Sequence, residues 1–289
     1  MTLLRQQLIQ ELVLGGYSPR TQEAYIHQVR QLAKFYRRSP DQLSDQQVRA
    51  YLFDLANTRK LSASTINQAV NALRFFYARV LHRNVQALCR NLPHPRKEIR
   101  RPQVFSLEEV ERLFLAGCVH PKHRAFLMTV YGAGLRLSEA CHLKVEHLDS
   151  ARDQIRVVQG KGRKDRYTVF SSRLREELRT YWRAFRPQVW LFPSTRDPQR
   201  PMDVATGQKI FYQAVARAGL PRKGGIHSLR HSFATHLLEN QVEIPVLQCL
   251  LGHSQVSTTM GYMHVRKERL QQIQSPLQLL NLSRPTDPV

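Results

Sequence analysis

Three prolines and five basic residues fall within the thirteen positions of RNLPHPRKEIRRP, from Arg90 to Pro102. Proline fixes φ and removes a backbone donor, so no regular element is expected to run through this stretch. It reads as an extended linker, and the residues on either side are expected to bury separate cores. The expected organisation is a helical domain over residues 1–90, a basic linker over 91–103 and a second domain over 104–289.

The first part reads as four short helices. Leu4, Leu8 and Leu12 repeat every four residues until Gly15-Gly16 ends the pattern. Ser18-Pro19 is an N-cap followed by proline at the first helical position, and Tyr25, Val29 and Leu32 form the next stripe. Ser44 caps a third helix through Val48, Leu52 and Leu55. Ser62 caps a fourth carrying Ile66, Val70, Leu73, Tyr77 and Leu81. Phe75, Phe76 and Tyr77, at helical spacing, read as core rather than as base-stacking groups.

Ser106 and Glu109 form an S-x-x-E capping box that opens the second domain. Helical patterns continue to about Leu143. Gln154–Val158 and Tyr167–Phe170 then read as a β-hairpin around Gly160-Lys161-Gly162-Arg163-Lys164-Asp165. Helices are expected again near 172–185, 203–218, 228–239 and 243–250. The fold class is therefore mainly α with a small β-hairpin or sheet. No internal repeat or low-complexity tract interrupts it.

The charge balance narrows the partners. Lys and Arg number 44 against 22 Asp and Glu, a net charge of +22. Such a chain attracts polyanions, either nucleic acid or an anionic membrane surface. No run of 18 apolar residues predicts a transmembrane helix, the N-terminus does not read as a signal peptide, and no basic amphipathic helix supports membrane binding. Cys89, Cys118, Cys141 and Cys249 are far apart with no C-x-x-C, which argues against a disulfide framework and a zinc ribbon and for free thiols in a reducing, cytoplasmic setting. Nucleic acid is the expected partner. The linker charges read either as a solvated spacer or as an arm tracking a DNA backbone; on the second reading Arg96, Lys97, Arg100 and Arg101, with Arg163 and Lys164 in the turn, are the expected DNA contacts.

Four segments could carry chemistry: Gly134-Leu135-Arg136-Leu137-Ser138-Glu139, Gly160-Lys161-Gly162, His227-Ser228-Leu229-Arg230-His231, and Leu251-Gly252-His253 followed nine positions later by Tyr262. Each is weak alone, because a turn, a surface arginine or a packed histidine would read the same. Together they make chemical sense. Arg136 and Arg230 are planar forks suited to phosphate oxygens. His227, three residues before Arg230, shares its helical face. Lys161 is a cation in the turn, and Tyr262 supplies a phenol. No acidic cluster suits Mg²⁺, so the phosphate charge must be met by the protein itself.

The order Arg136, Lys161, His227-x-x-Arg230, Leu-Gly-His253, Tyr262 resembles the tyrosine recombinase family, the phage-integrase and Xer-type site-specific recombinases. The strings HSLRHSFATHLL and LLGHSQVSTTMGY carry the resemblance, which covers nearly the whole chain. It implies a SAM-like core-binding domain followed by a catalytic domain. Tyr262 would be the nucleophile, forming a 3′-phosphotyrosyl link and a free 5′-hydroxyl. Arg136 and Arg230 would stabilise the transition state, His227 would take the tyrosine proton, His253 would bond a phosphate oxygen and Lys161 would protonate the leaving oxygen. Glu139 would orient its neighbours, or serve only as a structural ion pair. The resemblance further implies no cofactor, a double-stranded DNA substrate or a folded single strand, and a tetramer on paired sites whose C-terminal segment, 266–289, passes to a neighbouring protomer. The region Trp190–Pro201 is short, unlike that of integron integrases, so the nearest likeness is a Xer-like enzyme of a bacterial mobile element.

Two other readings use the same residues: a type IB topoisomerase that relaxes DNA without a specific site, and a catalytically silent DNA-binding accessory protein. Elsewhere, Cys118, His120 and His123 lie close together but lack a fourth metal ligand. His142 and His147 read as surface or capping residues, His231 and His236 as packing groups. His264 is marked only by its closeness to Tyr262.

Overall fold

The computed structural model describes residues 2–83, 103–158 and 165–252. The chain divides into two compact units, Met1–Arg100 and Arg101–Val289, each built on its own hydrophobic core. Both are mainly helical, and the second also carries one small sheet.

The first unit contains α1 (Leu3–Leu14), α2 (Pro19–Tyr36), α3 (Asp45–Asn57) and α4 (Ala63–Phe75). Local chemistry starts three of them. The Ser18 hydroxyl accepts from the Thr21 N–H, Ser62 accepts from Thr65, and Ser44 and Gln47 close a reciprocal capping box. Each cap satisfies donors that the first helical turn leaves without partners, an effect of about 1 kcal/mol. Gly16, at φ 68°, turns the chain out of α1. The expected stripes meet in one core that includes Leu12, Leu32, Val48 and Val70. The helical path does not end with α4: Phe76–Val80 continues as a π-helical turn, a widening that the apolar period did not reveal. Phe76 and Tyr77 are buried there, and the Tyr77 hydroxyl donates to the Pro40 carbonyl at 2.8 Å. Phe75 packs edge-on against Tyr17 and Tyr25. The three aromatics are core, as expected.

The second unit contains α5 (Leu107–Leu115), α6 (Pro121–Gly132), α7 (Leu137–Cys141), α8 (Ser172–Phe185), α9 (Val204–Arg217), α10 (His227–Glu239) and α11 (Ile244–Leu251). Ser106 and Glu109 form the expected capping box at the start of α5. The strands β1 (Leu148–Asp149), β2 (Gln154–Val157) and β3 (Arg166–Val169) make an antiparallel sheet in that order. Ile155 pairs with Thr168, and Ile155 and Val157 face the core. The two-residue β1 was not expected, because so short a run carries no period. Phe126, Phe211 and Leu229 bring α6, α9 and α10 into the same core. The element that matters most for the site is α11, which packs against both β3 and α10 and so delivers its C-terminal end between sheet and helix. Among the described residues no helix is long and apolar enough to cross a membrane.

Candidate active site

The site begins at a turn. Gly134 sits in the left-handed region at φ 59°, and two residues later Arg136 occupies the N-cap position of α7. Glu139, one helical turn on, folds back. One carboxylate oxygen accepts the Arg136 backbone N–H at 2.8 Å, and the other accepts Nη1 of Arg136 at 2.6 Å. Sequence spacing alone therefore joins these two residues.

Glu139 also meets Arg166, the first residue of β3. Nη1 and Nη2 of Arg166 donate to Oε1 and Oε2 at 2.8 and 2.7 Å, a fork-to-fork pair in which both side chains are more than nine-tenths buried. Arg230, in the first turn of α10, brings Nη1 to 3.7 Å from Oε2. Three guanidiniums thus surround one buried carboxylate. Burial by itself would raise the Glu139 carboxyl. The Arg166 fork outweighs that, helped by the Arg136 N–H and guanidinium, and holds it down to about 2.

The same three arginines share a second acceptor set. The last carbonyls of a helix have no intrahelical donors and lie at the negative end of its dipole. At the end of α11, Arg166 Nε donates to the Leu250 carbonyl at 2.9 Å, Arg230 Nη2 to Leu251 at 2.5 Å and Arg136 Nη2 to Gly252 at 3.3 Å. Gly252 caps α11 at φ 61°, and a Cβ there would lie 2.6 Å from Cδ of Arg166. Only glycine fits both the turn and the approach of Arg166.

His227 opens α10 and keeps a solvent-exposed edge. Partial burial, then the positive charges of Arg230 and Arg136, hold its imidazole below the ordinary histidine value. The ring is therefore neutral near pH 7 and able to accept a proton. With three cations against one carboxylate, the cluster keeps an excess positive charge suited to an anion whose negative charge is spread over several oxygens. Among the described residues, no group of three or more His, Cys, Asp and Glu is placed to hold a metal ion.

Of the residues singled out in the sequence, Arg136, Glu139, His227 and Arg230 lie in this one cluster. Lys161, His253, Tyr262, Arg96, Lys97, Arg100, Arg101, Arg163, Lys164 and His264 lie outside the described residues. Sequence reasoning missed Arg166. It stands in a stretch of sequence rich in basic residues, where one more arginine carries no local signal, and its partner Glu139 is 27 positions away.

Five other described histidines have local surroundings. Nδ1 of His120 accepts the Lys122 N–H and caps α6, and His142 bonds the Ser138 carbonyl. His147 accepts the Lys144 N–H through Nδ1. His236 bonds the Tyr131 hydroxyl at 2.8 Å, and burial lowers His231.

Comparison with known proteins places this chain in a family. Residues 103–269 match the phage integrase family, and residues 4–87 match the phage integrase N-terminal SAM-like domain. A putative integrase/recombinase of Sinorhizobium fredii is 40% identical over 100% of this chain and 92% of its own length. The tyrosine recombinase XerA of Thermococcus kodakarensis is 34% identical over 93% of each chain. Among solved structures, a XerA recombinase is 27% identical, with a TM-score of 0.54 over 93% of this chain and 95% of that one. A lambda integrase dimer bound to a core site shares the fold at 18% identity, with a TM-score of 0.72 over 89% of this chain and 94% of that one. With both parts of the sequence matched in order and relatives similar from end to end, the chain belongs to the phage integrase family and is a tyrosine site-specific recombinase.

Proposed function

We propose that the protein cuts and rejoins double-stranded DNA through a covalent bond between Tyr262 and a 3′-phosphate. The phenolic oxygen of Tyr262 attacks the scissile phosphorus and its proton passes to His227. Arg136 and Arg230 offset the charge gathering on the non-bridging oxygens, and His253 bonds one of them. Lys161 gives a proton to the departing 5′ oxygen. The phosphotyrosyl ester keeps the energy of the bond it replaced, so a 5′-hydroxyl from a partner strand can reverse the step without ATP. One observation carries this reading: Arg136 and Arg230 are both fixed to the C-terminal end of α11, at Gly252 and Leu251, immediately before His253 in the sequence.

On this reading the first unit is a core-binding domain, the basic linker follows the DNA backbone and the second unit is catalytic. Four copies assemble on two paired sites, and the element served is a bacterial mobile element in the cytoplasm. Support for a DNA substrate comes from the net charge of +22 and from structural neighbours, such as a XerH recombinase, solved bound to their own DNA sites.

The test is a nicked suicide substrate, from which the short fragment bearing the new 5′-hydroxyl diffuses away after cleavage. The wild-type protein should give a DNA adduct resistant to SDS. Tyr262→Phe should bind the same DNA and give none. An adduct that survives this change removes Tyr262 as nucleophile. Relaxation of plasmids lacking any specific site would instead favour a topoisomerase, and binding without adduct by the wild type would favour an accessory role.

A further inference from the structure

Arg166 lies outside the catalytic set named above, yet it makes three charge-assisted bonds inside the cluster. It occupies both oxygens of Glu139 and the carbonyl of Leu250 at 2.8, 2.7 and 2.9 Å. Its side chain is 9% exposed, and Gly252 is kept bare against its Cδ. The third bond satisfies the buried Nε and, beyond balancing the Glu139 charge, joins the carboxylate to the end of α11.

The geometry has a consequence for Arg136. A carboxylate presents one face that takes a planar fork with two parallel bonds. Arg166 takes that face of Glu139. Arg136 is left with a single side-chain bond to Glu139, at Nη1, and a second bond from its backbone N–H. Its own fork is therefore not locked in a bidentate pair with Glu139, and its other terminal nitrogen, Nη2, makes only a long 3.3 Å bond to the Gly252 carbonyl. The Nε bond of Arg166 meanwhile ties β3, the strand that follows Lys161 in the sequence, to the end of α11, which precedes His253.

We propose that Arg166 is a positioning residue for strand cleavage: by holding both oxygens of Glu139 and the Leu250 carbonyl, it keeps the Arg136 guanidinium turned toward the scissile phosphate and sets the end of α11 beside it. The inference rests on the recombinase reading above. In this role Arg166 acts through Arg136 rather than on a reacting atom itself. Lysine cannot replace it, because an ammonium group carries the charge without the fork.

Adduct formation on the suicide substrate tests this, with single-site DNA affinity and thermal melting measured alongside. Arg166→Ala should slow adduct formation about 100-fold, the scale on which a small misplacement of a catalytic group acts, with affinity changed less than about threefold. Arg166→Lys retains a charge against Glu139, so it keeps the test open if the alanine variant melts early, and it should be slowed on the same scale. In an Arg136→Lys background, Arg166→Ala should cost less than about threefold more, because the group it positions is already gone. Equal losses in the two backgrounds, or wild-type speed in a stably folded Arg166→Lys, would overturn the proposal. Absence of any adduct from the wild type would instead count against the recombinase reading.

Discussion

Nη1 of Arg230 donates to the carbonyl of Gly134 at 2.6 Å, across 96 positions of sequence. Phe233, three residues further along α10, presses on the same glycine: a Cβ at Gly134 would lie 2.4 Å from its ring. One helix thus grips the turn before Arg136 from two sides. Gly134→Ala would have to hold φ near 59° and move a packed ring. Left-handed strain and overpacking together should cost about 2–4 kcal/mol. Urea unfolding measures this, and cleavage should fall with stability because the displaced carbonyl orients Arg230. A loss below about 0.5 kcal/mol would mean that α10 yields at no cost.

Glu139 makes stability depend on acid. Its carboxyl is held at about 2 in the folded chain against an ordinary 4.5. A depressed folded value contributes stability above the unfolded pKa that is lost as pH falls toward the folded one. The difference corresponds to about 3 kcal/mol. Glu139→Gln should be destabilised by about 3–5 kcal/mol at pH 7, since three guanidiniums then lack their counter-charge. The gap between the two proteins should narrow as pH drops from about 5 to about 3. A gap that stays constant over that window would assign the loss to packing alone.

Where a feature depends on neighbours in sequence, it was legible. Ser18, Ser44, Ser62 and Ser106 start helices by bonding residues three positions on, and the pattern can be read without a structure. The pairing of Arg136 with Glu139 has the same local origin. The Arg166 fork was not legible, because nothing around it points to Glu139 across the sheet and α7. The carbonyls of Leu250, Leu251 and Gly252 were equally silent, since a backbone acceptor has no letter in the sequence. The π turn at Phe76–Val80 and the two-residue β1 fall below the length at which a period can be recognised.

Lys161 has a chemical test of its own. A general acid matters less when the leaving group needs no proton. Lys161→Ala should therefore be severely slow on ordinary DNA and should recover most of its rate on DNA carrying a 5′-bridging sulfur, because a thiolate departs readily. Single-turnover cleavage of the two substrates decides it. Equal defects on both would make Lys161 a phosphate-binding group and leave the leaving oxygen without its assigned donor.

Beyond Tyr262, Leu270, Ile273, Leu277 and Leu280 fall at i, i+3, i+7 and i+10, one face of a helical pattern with Pro276 inside it. Proline at that point predicts a kink or two short helices. An apolar stripe needs a covering surface, either on its own catalytic unit or on a second copy of the chain. In the assembly proposed above, the stripe would cover a neighbouring protomer and would couple the placement of Tyr262 in one subunit to the next, so that only some subunits would cleave at a time. The two arrangements differ in what deletion does. If the segment is exchanged, removing residues 266–289 should leave binding to a single site within about threefold of wild type, because no intramolecular core is lost. Cooperative binding to paired sites should disappear, and recombination should fall steeply while suicide-substrate cleavage by the isolated complex persists. Gel-shift titration on one-site and two-site DNA separates these quantities. A truncated protein that melts early or no longer binds one site would place the segment on its own core, and the coupling between subunits would then have to arise elsewhere.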